Sequence, residues 1–128
     1  MTTAIPGAGP GCLPRVAVVD ADRRVQQSIA DVLRIAGVDV VGTAGDPALA
    51  LQLAAQQRPA VVLVDPRLPD VAAGEAFLRA LGRDFPEVRV VLMGWNQPAE
   101  LQLRSDAFVA KSAGPEEFVA AAIEACRG

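Results

Sequence analysis

From Arg15 onward, short β-branched runs alternate with stretches whose apolar residues recur at helical spacing. Residues 15–20 (Arg-Val-Ala-Val-Val-Asp), 38–41, 60–65 (Ala-Val-Val-Leu-Val-Asp), 88–93 and 107–110 read as strands. They are nearly continuous in apolar character, as in strands buried on both faces of a parallel sheet. Between the first two, Val25, Ile29, Val32, Leu33 and Ala36 follow the helical period, and Gly37 stops it. Asp46-Pro47 supplies a cap and a first-turn proline for a helix to about Gln57, which Pro59 ends. Pro66 and Pro69 hold the next stretch out of helix until near Gly74, and that helix reaches Leu81. A short helix is expected at 98–104. Gly114-Pro115-Glu116-Glu117 opens a last one, with Phe118, Val119, Ala122, Ile123 and Cys126 on its inner face.

Five strands alternating with five helices predict a three-layer α/β fold with a parallel five-stranded sheet. The flavodoxin-like (βα)5 arrangement, in order 2-1-3-4-5, is the natural one. One domain is expected over 15–128. The Gly- and Pro-rich residues 1–14 are expected to be a disordered tail.

Composition narrows the chemistry. The chain has 128 residues, 52% hydrophobic and 21% charged, enough to bury a core. It has no histidine, which excludes Ser-His-Asp and Cys-His catalysis and imidazole-bound zinc. Cys12 and Cys126 form no CxxC pair, and a reducing cytoplasm is the expected setting, with a lone disulfide the alternative. The net charge of −3 argues against a nucleic-acid or anionic-membrane surface. No apolar run approaches the roughly 18 residues of a membrane span. Of the 12 basic residues 11 are arginine, and the one lysine is Lys111.

In such folds ligands lie outside the carboxyl ends of the strands. Here the first strand ends at Asp20, the third at Asp65 and the fifth at Lys111. In the order 2-1-3-4-5 the two aspartates share one pocket. Paired carboxylates repel unless a cation joins them, and Mg²⁺ suits two carboxylates, waters and phosphate oxygens. With a lysine in reach, the set can accept a phosphoryl group on an aspartate oxygen and neutralise the developing charge. Each aspartate alone could equally be a turn or capping residue.

These three stretches resemble the receiver domain of bacterial two-component response regulators. The likeness spans residues 15–127. Val-Ala-Val-Val-Asp20 is similar to the family's first strand. Val-Val-Leu-Val-Asp65-Pro-Arg-Leu-Pro69-Asp70 is similar to the phosphoacceptor strand and its loop, and Ala-Phe108-Val-Ala-Lys111 to the fifth strand. The resemblance implies that Asp65 is the phosphoacceptor in a phosphorelay and that Lys111 pairs with the phosphoryl group. It implies Mg²⁺ held by Asp20, Asp65 and the Arg67 backbone carbonyl. It implies a sensor histidine kinase or phosphotransfer protein as donor. A protein partner or a second copy would dock on the face made by the fourth helix, fifth strand and fifth helix.

The departures are specific. Ala21 stands where the family has a second acid; Asp22, one place on, is either a substitute ligand or the cap of the first helix. Met93 aligns with the family's Thr or Ser switch position, and Phe108 fills the aromatic one without a hydroxyl. Gly74 comes one place late. Met93 to Lys111 is 18 positions, about one helical turn shorter than usual, which shortens the helix at 98–104. An atypical receiver follows, with weakened Mg²⁺ binding and switching and no enzyme activity of its own.

Two other readings stand beside it. One is a pseudo-receiver, a phosphorylation-independent interaction module with a vestigial Asp65. The other is a phosphohydrolase of haloacid-dehalogenase type, with Asp20 of Asp20-Ala-Asp22 as nucleophile; Arg24 departs from that motif. A nucleotide-binding domain fits poorly, because no Gly-rich loop follows the first strand. Arg23 and Arg24 either open a solvated helix or steer an acidic partner. Trp95, the single tryptophan, is a partner contact, a lid on the pocket or a local packing residue.

Overall fold

Valine-rich strands with no polar face need apolar cover on both sides, and the helices supply it. A computed structural model describes residues 14–95 and 107–127. Its elements are β1 (Arg15–Val19), α1 (Arg23–Ile35), β2 (Asp39–Ala44), α2 (Pro47–Gln57), β3 (Val61–Val64), α3 (Val71–Asp84), β4 (Arg89–Gly94), β5 (Ala107–Ala110) and α4 (Pro115–Arg127). The strands are parallel, in the order β2-β1-β3-β4-β5. This is the flavodoxin-like fold expected from the alternation. The helix expected at 98–104, Cys12 and the tail up to residue 13 lie outside the described residues.

Alternation along each strand divides the core between two layers. Ala17, Val19, Val62, Val64, Val90 and Leu92 pack with Phe77, Leu78 and Leu81 of α3 and with Ala50 and Ala54 of α2. Val16, Val18, Leu63, Val91, Met93 and Val109 pack with Ile29 and Leu33 of α1 and with Phe118 and Ala122 of α4. Fully burying one such Leu or Phe contributes roughly 1.5–3 kcal/mol. Cys126 sits at the edge of the second layer. Among the described residues no helix is long and apolar enough to cross a membrane.

Helix ends explain most boundaries. Gly37, at φ 89°, lets α1 close with Gly37 N–H on the Arg34 carbonyl and Val38 N–H on the Leu33 carbonyl. Asp46 Oδ1 accepts the Leu49 N–H at the start of α2. Two expectations shift. β2 continues to Ala44, because residues 42–44 still pair with Ala17, Val18 and Val19. α3 starts at Val71 and not near Gly74, because Asp70 Oδ1 accepts the Ala73 N–H and caps the helix directly after Pro69.

Candidate functional site

β1 and β3 run side by side, with Val19 opposite Val64. The ladder continues one step past both. Asp20 N–H donates to the Ala44 carbonyl and Asp65 N–H to the Val19 carbonyl, both at 3.0 Å. Asp20 and Asp65 therefore leave the sheet together. Lys111 follows β5 by one residue, and its N–H donates to the Gly94 carbonyl at 2.8 Å. Its side chain reaches back across the end of β4.

That reach closes an ion triad. Lys111 Nζ lies 2.6 Å from Asp20 Oδ2 and 2.6 Å from Asp65 Oδ2. The side chains are 7%, 3% and 12% exposed respectively, so the charges meet out of bulk water. Burial alone would lower the Lys111 pKa. The close approach of both carboxylates outweighs that and raises it above the ordinary lysine value. The two remaining carboxylate oxygens are held by backbone. Asp20 Oδ1 accepts the Asp22 N–H at 2.8 Å, and Asp65 Oδ1 accepts the Arg67 N–H at 3.0 Å. Asp20 Oδ2 has the ionic contact to Lys111 but no well-directed hydrogen bond.

The other expected site residues fall elsewhere. Asp22 is exposed, and its Oδ1 accepts the Arg24 N–H as the cap of α1. Among the described residues no three acidic side chains gather into a metal-sized group. Asp22 thus caps α1 in this structure. Arg67 is exposed on the loop that turns around Asp65. Met93 requires a correction: β4 runs one residue further, so Gly94 occupies the strand end. Met93 is fully buried beneath α1 and α4. Phe108 is partly buried against the core layer on the opposite face of the sheet. The two expected switch positions therefore lie on opposite faces of the sheet, and neither carries a hydroxyl.

Three residues gain roles that the sequence reading did not assign. Gln26 is buried, and its Nε2 donates to the Asp20 carbonyl at 2.6 Å, which ties the first turn of α1 to the end of β1. The signal was present, since positions 26, 29, 30 and 33 form one buried stripe on α1. Gly74 lies under the phosphoacceptor-type loop; a Cβ there would collide with the Pro66 carbonyl. Trp95 is 63% exposed, and Lys111 Nζ stands 5.9 Å from the centre of its ring.

The donor set can be tested against a hard divalent ion. Two carboxylates on adjacent strands, one with a buried under-satisfied oxygen, suit Mg²⁺, which commonly takes one or two carboxylates and completes its shell with water and phosphate oxygens. The residues fit such an ion, with Lys111 Nζ as the cation between them in this structure.

Comparison with known proteins agrees with this geometry. Residues 16–123 match the family model described as the response regulator receiver domain. Response regulator GacA of Pseudomonas aeruginosa is 35% identical over 113 residues, covering 84% of this chain and 52% of that protein. A protein-glutamate methylesterase/protein-glutamine glutaminase of Anaeromyxobacter dehalogenans is 38% identical over 82 residues, covering 62% of this chain and 22% of that protein. The chain thus spans about half of one of these curated relatives and less than a quarter of the other. The receiver domain of the putative response regulator NarL from Mycobacterium tuberculosis is 30% identical with a TM-score of 0.77, covering 90% of this chain and 97% of that one. A CheY-like receiver domain protein from Methanospirillum hungatei, 22% identical, shares the fold with a TM-score of 0.79 over 90% of this chain and 94% of that one. Strand order, the charged ends of β1, β3 and β5, and the match over 16–123 lead to one conclusion: the chain belongs to the response regulator receiver domain family.

Proposed function

We propose that Asp65 accepts a phosphoryl group in a two-component phosphorelay, and that the domain does so with weakened Mg²⁺ binding and altered switching. The observation that carries this is the single ammonium of Lys111 at 2.6 Å from both Asp20 and Asp65. In the step itself, a carboxylate oxygen of Asp65 attacks the phosphorus of a phosphohistidine or small acyl phosphate. The new P–O bond forms as the bond from phosphorus to the imidazole nitrogen or acyl oxygen breaks, and that group departs with its electron pair. Lys111 stays within reach of the transferred oxygens and offsets their charge. The Arg67 N–H holds Asp65 in orientation, and the Asp22 N–H and Gln26 hold Asp20.

Mg²⁺, when bound by Asp20, Asp65 and the Arg67 carbonyl, would supply further positive charge at the transferred phosphoryl oxygens. Ala21 and the capping role of Asp22 leave the metal one carboxylate short of the family pattern, which supports weakened binding. Gly94 at the end of β4 supports altered switching, because it brings no side-chain hydroxyl to a phosphoryl oxygen. The donor is a sensor histidine kinase or phosphotransfer protein in the cytoplasm. The output is a protein contact or homodimer through the face of β5, α4 and the segment 98–104, with no nucleic acid or membrane bound by this segment. The domain is an acceptor and not a turnover enzyme.

Borohydride reduction after exposure to acetyl phosphate and Mg²⁺ tests the assignment, since it converts an aspartyl phosphate to homoserine. Peptide masses are expected to place homoserine at position 65. Homoserine at position 20 would support the phosphohydrolase reading instead. No conversion anywhere would support the phosphorylation-independent interaction module, for which the engagement of both carboxylates by Lys111 is the favouring observation.

A further inference from the structure

We propose that Trp95 is a positioning residue for Lys111: its indole holds the ammonium over the two carboxylates and so sets how readily a divalent cation displaces it. The bearing on phosphoryl transfer rests on Asp65 being the acceptor; the contact itself does not.

Gly94 pairs with Ala110, and the next residues on the two strands are Trp95 and Lys111. The Lys111 N–H on the Gly94 carbonyl locks that juxtaposition into the backbone. Lys111 Nζ then lies 5.9 Å from the ring centre, within the roughly 6 Å over which an ammonium is attracted to an indole face. The lysine side chain is only 7% exposed whereas Trp95 is 63% exposed, so the ring is the outer neighbour of the ammonium. A large apolar ring left mostly in water is not explained by core packing. Its place beside the one buried cation of the triad explains it. Any cation that binds Asp20 and Asp65 together must take them from Lys111, and the indole contact adds to what must be overcome.

Lys111 is the single lysine, so selective carbon-13 labelling of lysine gives one ε-methylene resonance to follow. In the intact chain its protons are expected upfield of a solvated lysine, shielded by the ring. Trp95→Leu should move them downfield, and Trp95→Phe should retain part of the shift. Titration with MgCl₂ alone, read on the same resonance, should show Trp95→Leu binding about two- to fivefold more tightly than the unaltered chain, with Trp95→Phe between them. An unchanged resonance in Trp95→Leu would overturn the contact. Equal Mg²⁺ midpoints in all three proteins, or no Mg²⁺ response in any, would overturn its role in cation access. If the resonance and midpoints move as expected while Asp65 never takes a phosphoryl group, the functional reading fails and the positioning role stands.

Discussion

The ends of β1, β3 and β5 differ in kind from the end of β4. The first three finish in Asp20, Asp65 and Lys111, whose charges meet within 2.6 Å and are buried together. The fourth finishes in Gly94, with Met93 turned into the core behind it and Trp95 turned out into solvent ahead of it. On the function proposed above, the charged ends are where a phosphoryl group is received. The β4 end has no side-chain hydroxyl at Met93, Gly94 or Trp95, and sets an aromatic face near the lysine. On the function proposed above, acceptance and readout would reside on different strands of one sheet.

The largest expected effect comes from cutting the triad. Lys111→Met leaves two buried carboxylates without a counter-ion and should destabilise the fold by about 3–5 kcal/mol in denaturant unfolding near neutral pH. The deficit relative to the unaltered chain should shrink as pH falls through the carboxylate range, where protonation relieves the repulsion, and on adding Mg²⁺. Because the folded-state Lys111 pKa is raised, the stability it contributes is fully present below the ordinary lysine pKa. It is lost only as pH rises through the raised value, so the difference should stay level from about pH 7 to about pH 9. A deficit that grows on acidification would break the comparison at its charged side.

Met93 tests the other side. As a core residue it should cost about 2–5 kcal/mol on Met93→Ala and under about 1.5 kcal/mol on Met93→Leu, by the same unfolding measurement. A surface-sized loss for Met93→Ala would return this side chain to the pocket. Smaller still, Ala21→Asp should tighten Mg²⁺ about tenfold in calorimetric titration by restoring a further carboxylate. Asp22→Ala should cost about 1 kcal/mol as a lost helix cap and leave Mg²⁺ affinity unchanged. A loss of Mg²⁺ binding in Asp22→Ala would make that carboxylate a ligand after all.

The charged strand ends were legible in the sequence because each breaks an otherwise apolar run. A single Asp or Lys after an apolar run marks where the strand stops, and the sheet order brings the three together. The strand order followed from the βα alternation in the same way. β4 was not legible to the residue. Val90, Val91, Leu92 and Met93 are all apolar, so no alternation says which face each occupies, and Gly94 reads as a breaker although it still pairs with Ala110. The start of α3 was obscured by Pro66 and Pro69, while the deciding signal was Asp70 as a cap. Gln26 shares the buried stripe of α1, but a polar residue there shows its role only through its bond to the Asp20 carbonyl. The approach of Trp95 to Lys111 depends on register between β4 and β5, which no local pattern encodes.

The most direct test of the account is intact mass after incubation with excess acetyl phosphate and Mg²⁺, run in parallel on the unaltered chain and Asp65→Asn. The account expects one added phosphoryl group on the first and none on the second. No adduct on either, or an adduct that survives Asp65→Asn, would contradict it.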